Sequence, residues 1–147
     1  MSPGPLPPLE LAEASAAAMW ERDRAVQALG VGLVAVGVGE ATLTMTVRED
    51  MVNGHGTCHG GFIFTLADAA FAYACNTHDE RSVASGADIV FVRAARLGDR
   101  LTATGSERVR SGRSGIYDVV VTDDEGRTVA MFRGRSHTIG GSLINPE

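Results

Sequence analysis

Apolar residues are spaced in two different ways along this chain. Across residues 41–47, Leu43, Met45 and Val47 alternate with Thr42, Thr44 and Thr46. A period of two predicts a half-buried strand of an antiparallel sheet. Residues 61–75 instead read as a helix of about four turns. It is apolar nearly all round, with Phe62, Ile63, Phe64, Leu66, Phe71 and Tyr73 set among Ala67, Ala69, Ala70, Ala72 and Ala74. A helix apolar on every face is expected to be buried. This one is too short, and too closely flanked by polar residues, to span a membrane.

The other elements follow from the same two periods. Residues 9–29 predict a front helix with a loose apolar side from Leu11, Ala14, Ala18, Trp20 and Val26, ended by Gly30. Residues 31–38 and 41–47 predict two strands around Gly39 and Glu40, and residues 82–93, 101–110, 116–122 and 128–138 predict four more. Residues 111–115 and 123–126 read as hairpin connections, with Gly126 where a positive φ is wanted. The class is α+β: about six antiparallel strands, one buried helix among them, and a helix in front. A sheet curled around the buried helix is the simplest cover, and the small alanines let strands approach it. Two sheet edges remain to be covered, most simply by pairing with a second copy. Residues 1–8 hold four prolines and a glycine and read as a disordered lead-in, 9–141 as a single domain, and 142–147 as a flexible tail.

Composition narrows the function. At 147 residues the chain can bury a core without staples, and a net charge of −5 does not favour a nucleic-acid-binding surface. Cys58 and Cys75 stand 17 residues apart, which fits no zinc or redox spacing, so both read as free thiols of a reducing compartment. The first residues, MSPGPLPPLE, lack the basic and apolar regions of a signal peptide, and the expected location is the cytoplasm.

The chemistry gathers in residues 51–76. A glycine-rich loop carries Asn53, His55 and His59, and the apolar helix behind it carries one carboxylate, Asp68. A buried ionised group costs several kcal/mol unless it is paired or faces a wet cavity. No Lys or Arg lies within a turn of Asp68, so it is satisfied from elsewhere in the fold or it lines a site.

The stretch NGHGTCHGGFIFTLADAAFAYACN resembles the signature of the hotdog-fold acyl-CoA thioesterases, in their phenylacetate-degradation (PaaI-type) branch. GDRLTATG, GIYDVVV and VAMFRGRSHTIGG agree with it downstream. The resemblance implies an antiparallel sheet wrapped around a central helix, and homodimers commonly paired into tetramers. It also implies metal-free and cofactor-free hydrolysis of acyl-CoA thioesters, phenylacetyl and hydroxyphenylacetyl groups being favoured. It places the catalytic acid on Asp68, the glycine amide that holds the thioester oxygen on Gly60, and the loop Asn and His on Asn53 and His59. A water-orienting serine of some relatives would fall at Ala84 or Ser85.

Each residue has a plainer reading beside the functional one. Asp68 suits a general base or a nucleophile, or a structural acid bonded to backbone. Gly60, opening a helix, offers a free N–H aided by the helix dipole, or is a loop-to-helix glycine. Asn53 can orient Asp68 or water, or belongs to a turn before Gly54. His59 can buttress the loop or be structural. His55 and His59 lack a third ligand, so no metal is expected, and Cys58 as a nucleophile would need an activating base, which the adjacent His59 is expected not to supply because it points elsewhere. A basic handle for CoA phosphates would come from Arg110, Gly112, Arg113 and Ser114 in the hairpin, with Arg133 and Arg135 on the last strand, unless these are only solvated surface charges.

Gly60 and Asp68 are eight residues apart, roughly 12 Å along a helix. A base and an oxyanion donor must both lie about 3 Å from the reacting atoms. One helix does not place both there, and two subunits can, so a dimer with shared sites is expected. A hotdog acyl-CoA sensor would lack the acid and carry a DNA-binding extension; a hotdog hydratase would need a His and an acid aimed at the acyl chain. HGG followed by LAD fits a thioesterase better than either.

Overall fold

The structure, a computed structural model, describes residues 4–146. Pro8–Trp20 forms helix α1 and Arg24–Ala28 a short helix α2. Strands β1 (Gly32–Gly37) and β2 (Glu40–Thr46) follow, then a single tight turn at Glu49–Met51 and the long helix α3 (Gly60–Cys75). Strands β3 (Ser82–Phe91), β4 (Arg100–Ser111), β5 (Ser114–Thr122) and β6 (Thr128–Thr138) complete the order. One antiparallel sheet holds all six strands in the order β1-β2-β4-β5-β6-β3.

Alternation decides which face of each strand meets α3. In β2 the buried positions are Ala41, Leu43 and Met45, and in β5 they are Tyr117, Val119 and Val121. These residues pack on Ile63, Leu66, Ala67, Ala70, Phe71 and Ala74 of the helix in one core. Burying a side chain the size of Leu66 contributes about 1.5–3 kcal/mol. The helix lies close because the sheet makes room beneath it. A Cβ at Gly134 would stand 2.7 Å from the ring of Phe71, and one at Gly105 would stand 3.1 Å from the Ala70 carbonyl oxygen. Phe71 is in turn held between Tyr117 and Phe132, each with its ring centroid 5.8 Å away.

Three expectations change. The front helix is broken at residues 21–23, where the Arg22 and Asp23 amides make tight turns onto the Met19 and Trp20 carbonyls. The break puts the Asp23 carboxylate 3.1 Å from the Tyr73 hydroxyl, which is otherwise buried against Trp20, and so satisfies that polar group. Helix α1 also starts inside the predicted lead-in, on Pro8, whose missing N–H costs nothing in a first turn; residues 1–3 of that lead-in lie outside the described residues. Finally, residues 142–144 of the predicted tail are tied down. Asp79, at φ 56°, accepts hydrogen bonds from the Leu143 and Ile144 amides at 2.7 and 3.1 Å, and from the Ser142 hydroxyl.

The fourth difference concerns α3 itself, which this chain does not bury on every face. Gly61 is exposed, and Phe64, Thr65, Asp68 and Ala72 are half-buried. Their spacing of three or four residues makes one continuous stripe left open by the sheet. The edges are unequal too: α1 lies against β1, whereas β3 ends with Val90 and Phe91, followed by Val92, at 63, 50 and 55 % exposure. No helix among the described residues is long and apolar enough to cross a membrane.

Candidate active site

Asp68 sits on the open stripe of α3. Burial raises its carboxyl above the ordinary value. It has no hydrogen-bond or ion-pair partner among the described residues, although the other acids near the core are engaged. Glu107, for instance, receives the Tyr117 hydroxyl at 2.7 Å and lies 2.8 Å from the His78 ring. Burial alone would push Glu107 up, but these bonds and the Arg110 charge outweigh it and hold the carboxyl low. Among the described residues, then, no hydrogen bond or ion pair ties Asp68 to the rest of the fold.

Gly60 is the first residue of α3, with His59 as its cap. First-turn amides have no partner inside a helix, and the Gly60 N–H has none among the described residues. The loop before it is held in three places: His59 donates its amide to Met51 at 2.8 Å, Cys58 donates to Ala95 at 2.8 Å, and Asn53 and Thr57 pair across the turn. The Asn53 side-chain oxygen accepts from the His55 and Thr57 amides at 2.9 and 3.2 Å. Asn53 is thus a turn-former, and its NH₂ group stays unengaged among the described residues. The His59 and His55 rings are exposed.

Beside Gly60 opens a cleft of about 360 Å³ lined by Thr57, Cys58, Ile63, Phe91 and residues 92–95. Sequence reasoning missed it. The signal was present in β3, where Phe91 follows the outward Val90 and so points to the helix side. Cys58 lines the cleft, but burial pushes its thiol up, which works against a thiolate nucleophile. Cys75, buried and near Asp68, is pushed up to about 12.

The candidate CoA residues lie far from this cleft within one chain. Phe91 pairs with Ala130 on β6, and Ser114 pairs with His137 on the same strand. Seven residues of strand is about 23 Å. Gly112 and Arg113 form the hairpin tip between the paired Ser111 and Ser114. Arg110 bonds Glu80 at 3.1 Å, Arg133 bonds Asp118 at 2.6 Å, and Arg135 bonds Asp88 at 3.1 Å. Arg113 has no ion pair among the described residues. Ser85 is the extra residue of a bulge in β3, and its hydroxyl donates to the Arg135 carbonyl at 3.1 Å.

A curled six-stranded antiparallel sheet closed on one long helix, entered through a glycine-rich loop, is the hotdog fold, and the class defined here is that of the hotdog thioester hydrolases. Residues 55–130 match the family model described as "Thioesterase superfamily", and the chain belongs to that family. It is 46% identical over 129 residues to acyl-coenzyme A thioesterase PaaI of Escherichia coli, covering 88% of this chain and 92% of the relative. The solved structure of the E. coli PaaI protein from the phenylacetic acid degradation operon superposes with a TM-score of 0.90 at 45% identity, over 92% of this chain and 99% of that one. A hypothetical thioesterase of Streptococcus pneumoniae, solved with coenzyme A, gives a TM-score of 0.73 at 25% identity, over 76% of this chain and 88% of that one.

Proposed function

We propose that this chain hydrolyses the thioester of phenylacetyl-CoA or hydroxyphenylacetyl-CoA to the free acid and CoA. The observation that carries the reading is Asp68, a half-buried acid on the open stripe of α3 with no partner among the described residues. The choice of acyl group is supported by the likeness to a PaaI protein of a phenylacetic acid degradation operon, and the choice of carrier by the coenzyme A in the S. pneumoniae structure.

Asp68 acts as general base. It takes a proton from water as the water oxygen attacks the thioester carbonyl. The Gly60 N–H, backed by the α3 dipole, holds the oxyanion. Collapse re-forms the carbonyl, breaks the C–S bond and returns the proton to the CoA thiolate. Direct attack by the carboxylate, through a mixed anhydride that water then cleaves, uses the same two groups. The unengaged NH₂ of Asn53 is suited to orient the base or the water, and His59 to close the loop.

Within one helix Gly60 and Asp68 lie about 12 Å apart and about 80° round the axis. The site is therefore shared: Asp68 of one subunit works with Gly60 of the other. The open stripe of α3 and the exposed edge of β3 are the surfaces such a dimer covers. Val90 and Met131, 63 and 54 % exposed beside the Asp118–Arg133 pair, offer a second surface on the outer sheet face for a dimer of dimers. The CoA phosphates sit outside, on Arg113 and its hairpin, with Arg110 and Arg135 exchanging carboxylate for phosphate.

The test is thiol release from phenylacetyl-CoA by wild type and Asp68→Asn. Loss of at least ~10²-fold in turnover is expected on removing the base. A folded Asp68→Asn variant with near-normal turnover would sink the assignment.

A further inference from the structure

The tip of the Phe91 ring points at Gly60. A Cβ built on Gly60 would stand 2.7 Å from the Phe91 Cζ and 3.2 Å from each Cε. The ring therefore occupies the space that any other residue at position 60 would need. Phe64, Phe71, Phe132 and Tyr117 are joined in ring-to-ring contacts in the core. Phe91 has no ring partner among the described residues and is half exposed. Its exposed side belongs, with Val90, to the edge of β3 that the proposed dimer covers, while its tip faces Gly60 and the cleft. The cleft it faces is small, about 360 Å³, with apolar walls from Ile63, Cys58, Ala94 and Ala95 and with Thr57 and Arg93 as its polar lining. That is the low end of the range for small-molecule sites, about 300–1,000 Å³. Against Ile63, Ala94 and Ala95 an apolar group of aromatic size buries its surface with no polar atom of its own left unmet.

We propose that Phe91 is the specificity-determining residue of this site: its ring forms the wall of the acyl pocket beside Gly60 and selects a flat aromatic acyl group over a flexible alkyl one. The inference rests on the thioesterase reading above. A carbonyl held by the Gly60 N–H leaves its acyl substituent in the cleft, against the face of the Phe91 ring. Offset or edge-to-face ring contacts then favour an aromatic group beyond its area alone. The same ring fixes the pocket's depth.

The experiment compares kcat/KM for phenylacetyl-CoA and octanoyl-CoA in wild type, Phe91→Leu and Phe91→Ala, each checked for fold and assembly. The affinities of the non-hydrolysable phenylacetonyl and 2-oxononyl thioethers of CoA are measured beside them. The expected result is a fall of at least ~10-fold in the phenylacetyl-to-octanoyl preference for Phe91→Ala. A smaller fall in the same direction is expected for Phe91→Leu, and the thioether affinities should follow. An equal loss for both substrates, or a preference within twofold of wild type, overturns the proposal; so does a variant that merely dissociates the assembly. Should Phe91→Ala not fold, Phe91→Leu and the affinities decide alone. A wild type that binds the thioethers with the expected preference but hydrolyses neither ester refutes the thioesterase reading and not the pocket.

Discussion

Gly60→Ala is the sharpest perturbation available at the site, because it keeps the N–H assigned to the oxyanion in the proposed mechanism and adds only a methyl group. Alanine gains about 0.5–1 kcal/mol over glycine inside a helix. Against this, the new Cβ meets the Phe91 ring at 2.7 Å, and overpacking of that kind costs about 1–3 kcal/mol. The balance runs from no change to a loss of about 2.5 kcal/mol, or up to about 10 °C in Tm at 2–4 °C per kcal/mol. Phe91 is half exposed, so the ring can swing outward and relieve much of the contact, and the lower part of that range is expected. Activity does not escape so easily, since the displaced ring no longer walls the cleft. The assay is a double-mutant cycle of Gly60→Ala and Phe91→Ala, read in Tm and in kcat/KM for phenylacetyl-CoA. A coupling of about 0.5–3 kcal/mol is expected, the alanine at 60 being harmless once the ring is gone. Strict additivity, with Gly60→Ala equally harmful in the Phe91→Ala background, would refute the contact as the reason for glycine at this position.

Asp68→Asn should lower turnover and yet raise stability. Burial raises the folded-state carboxyl, so the contribution of Asp68 to stability is at its best below the ordinary carboxylate value and is lost as pH rises through the raised one. The variant's advantage in Tm should therefore be present at neutral pH and vanish in acid, while wild-type kcat/KM falls in acid with an inflection above the ordinary carboxylate value. A variant no more stable than wild type at pH 7 would contradict the burial account. Leu66→Ala, at a fully buried position under the sheet, should cost about 2–5 kcal/mol in urea unfolding; a cost under ~1 kcal/mol would mean that α3 is not packed as described.

Much of this architecture is legible in the residues because local signals agree with tertiary needs. The alternation in 41–47 becomes β2 with Leu43 and Met45 buried, and residues 128–138 become β6 unchanged. Gly30 takes φ 73°, as a helix stop requires. The failures are long-range. The break at residues 21–23 answers a tyrosine hydroxyl about fifty positions away, and the tail is held by an aspartate that precedes it in the chain by four strands. Helix α3 reads as buried on every side because apolar periodicity cannot tell a face covered by the chain's own sheet from one left open. Asp68 stood out as a lone acid, and the glycine-rich loop marked Gly60 as a candidate. The cleft did not stand out, because its wall at residues 91–95 is ordinary apolar sequence until the fold brings it against Gly60.

The central claim is that each site takes its acid from one subunit and its oxyanion donor from the other. It is tested most directly by mixing Asp68→Ala with Gly60→Pro, the latter lacking the N–H at position 60. Both proteins must first be shown folded and nearly inactive alone, then unfolded together, refolded at equal concentrations and assayed with phenylacetyl-CoA. In a two-fold dimer a mixed pair puts both lesions in one site and leaves the other intact. Random pairing makes about half the dimers mixed, each with one working site of two, so activity should return to about one quarter of wild type. Folded mixed dimers whose activity stays at the level of the two parents would contradict the shared site.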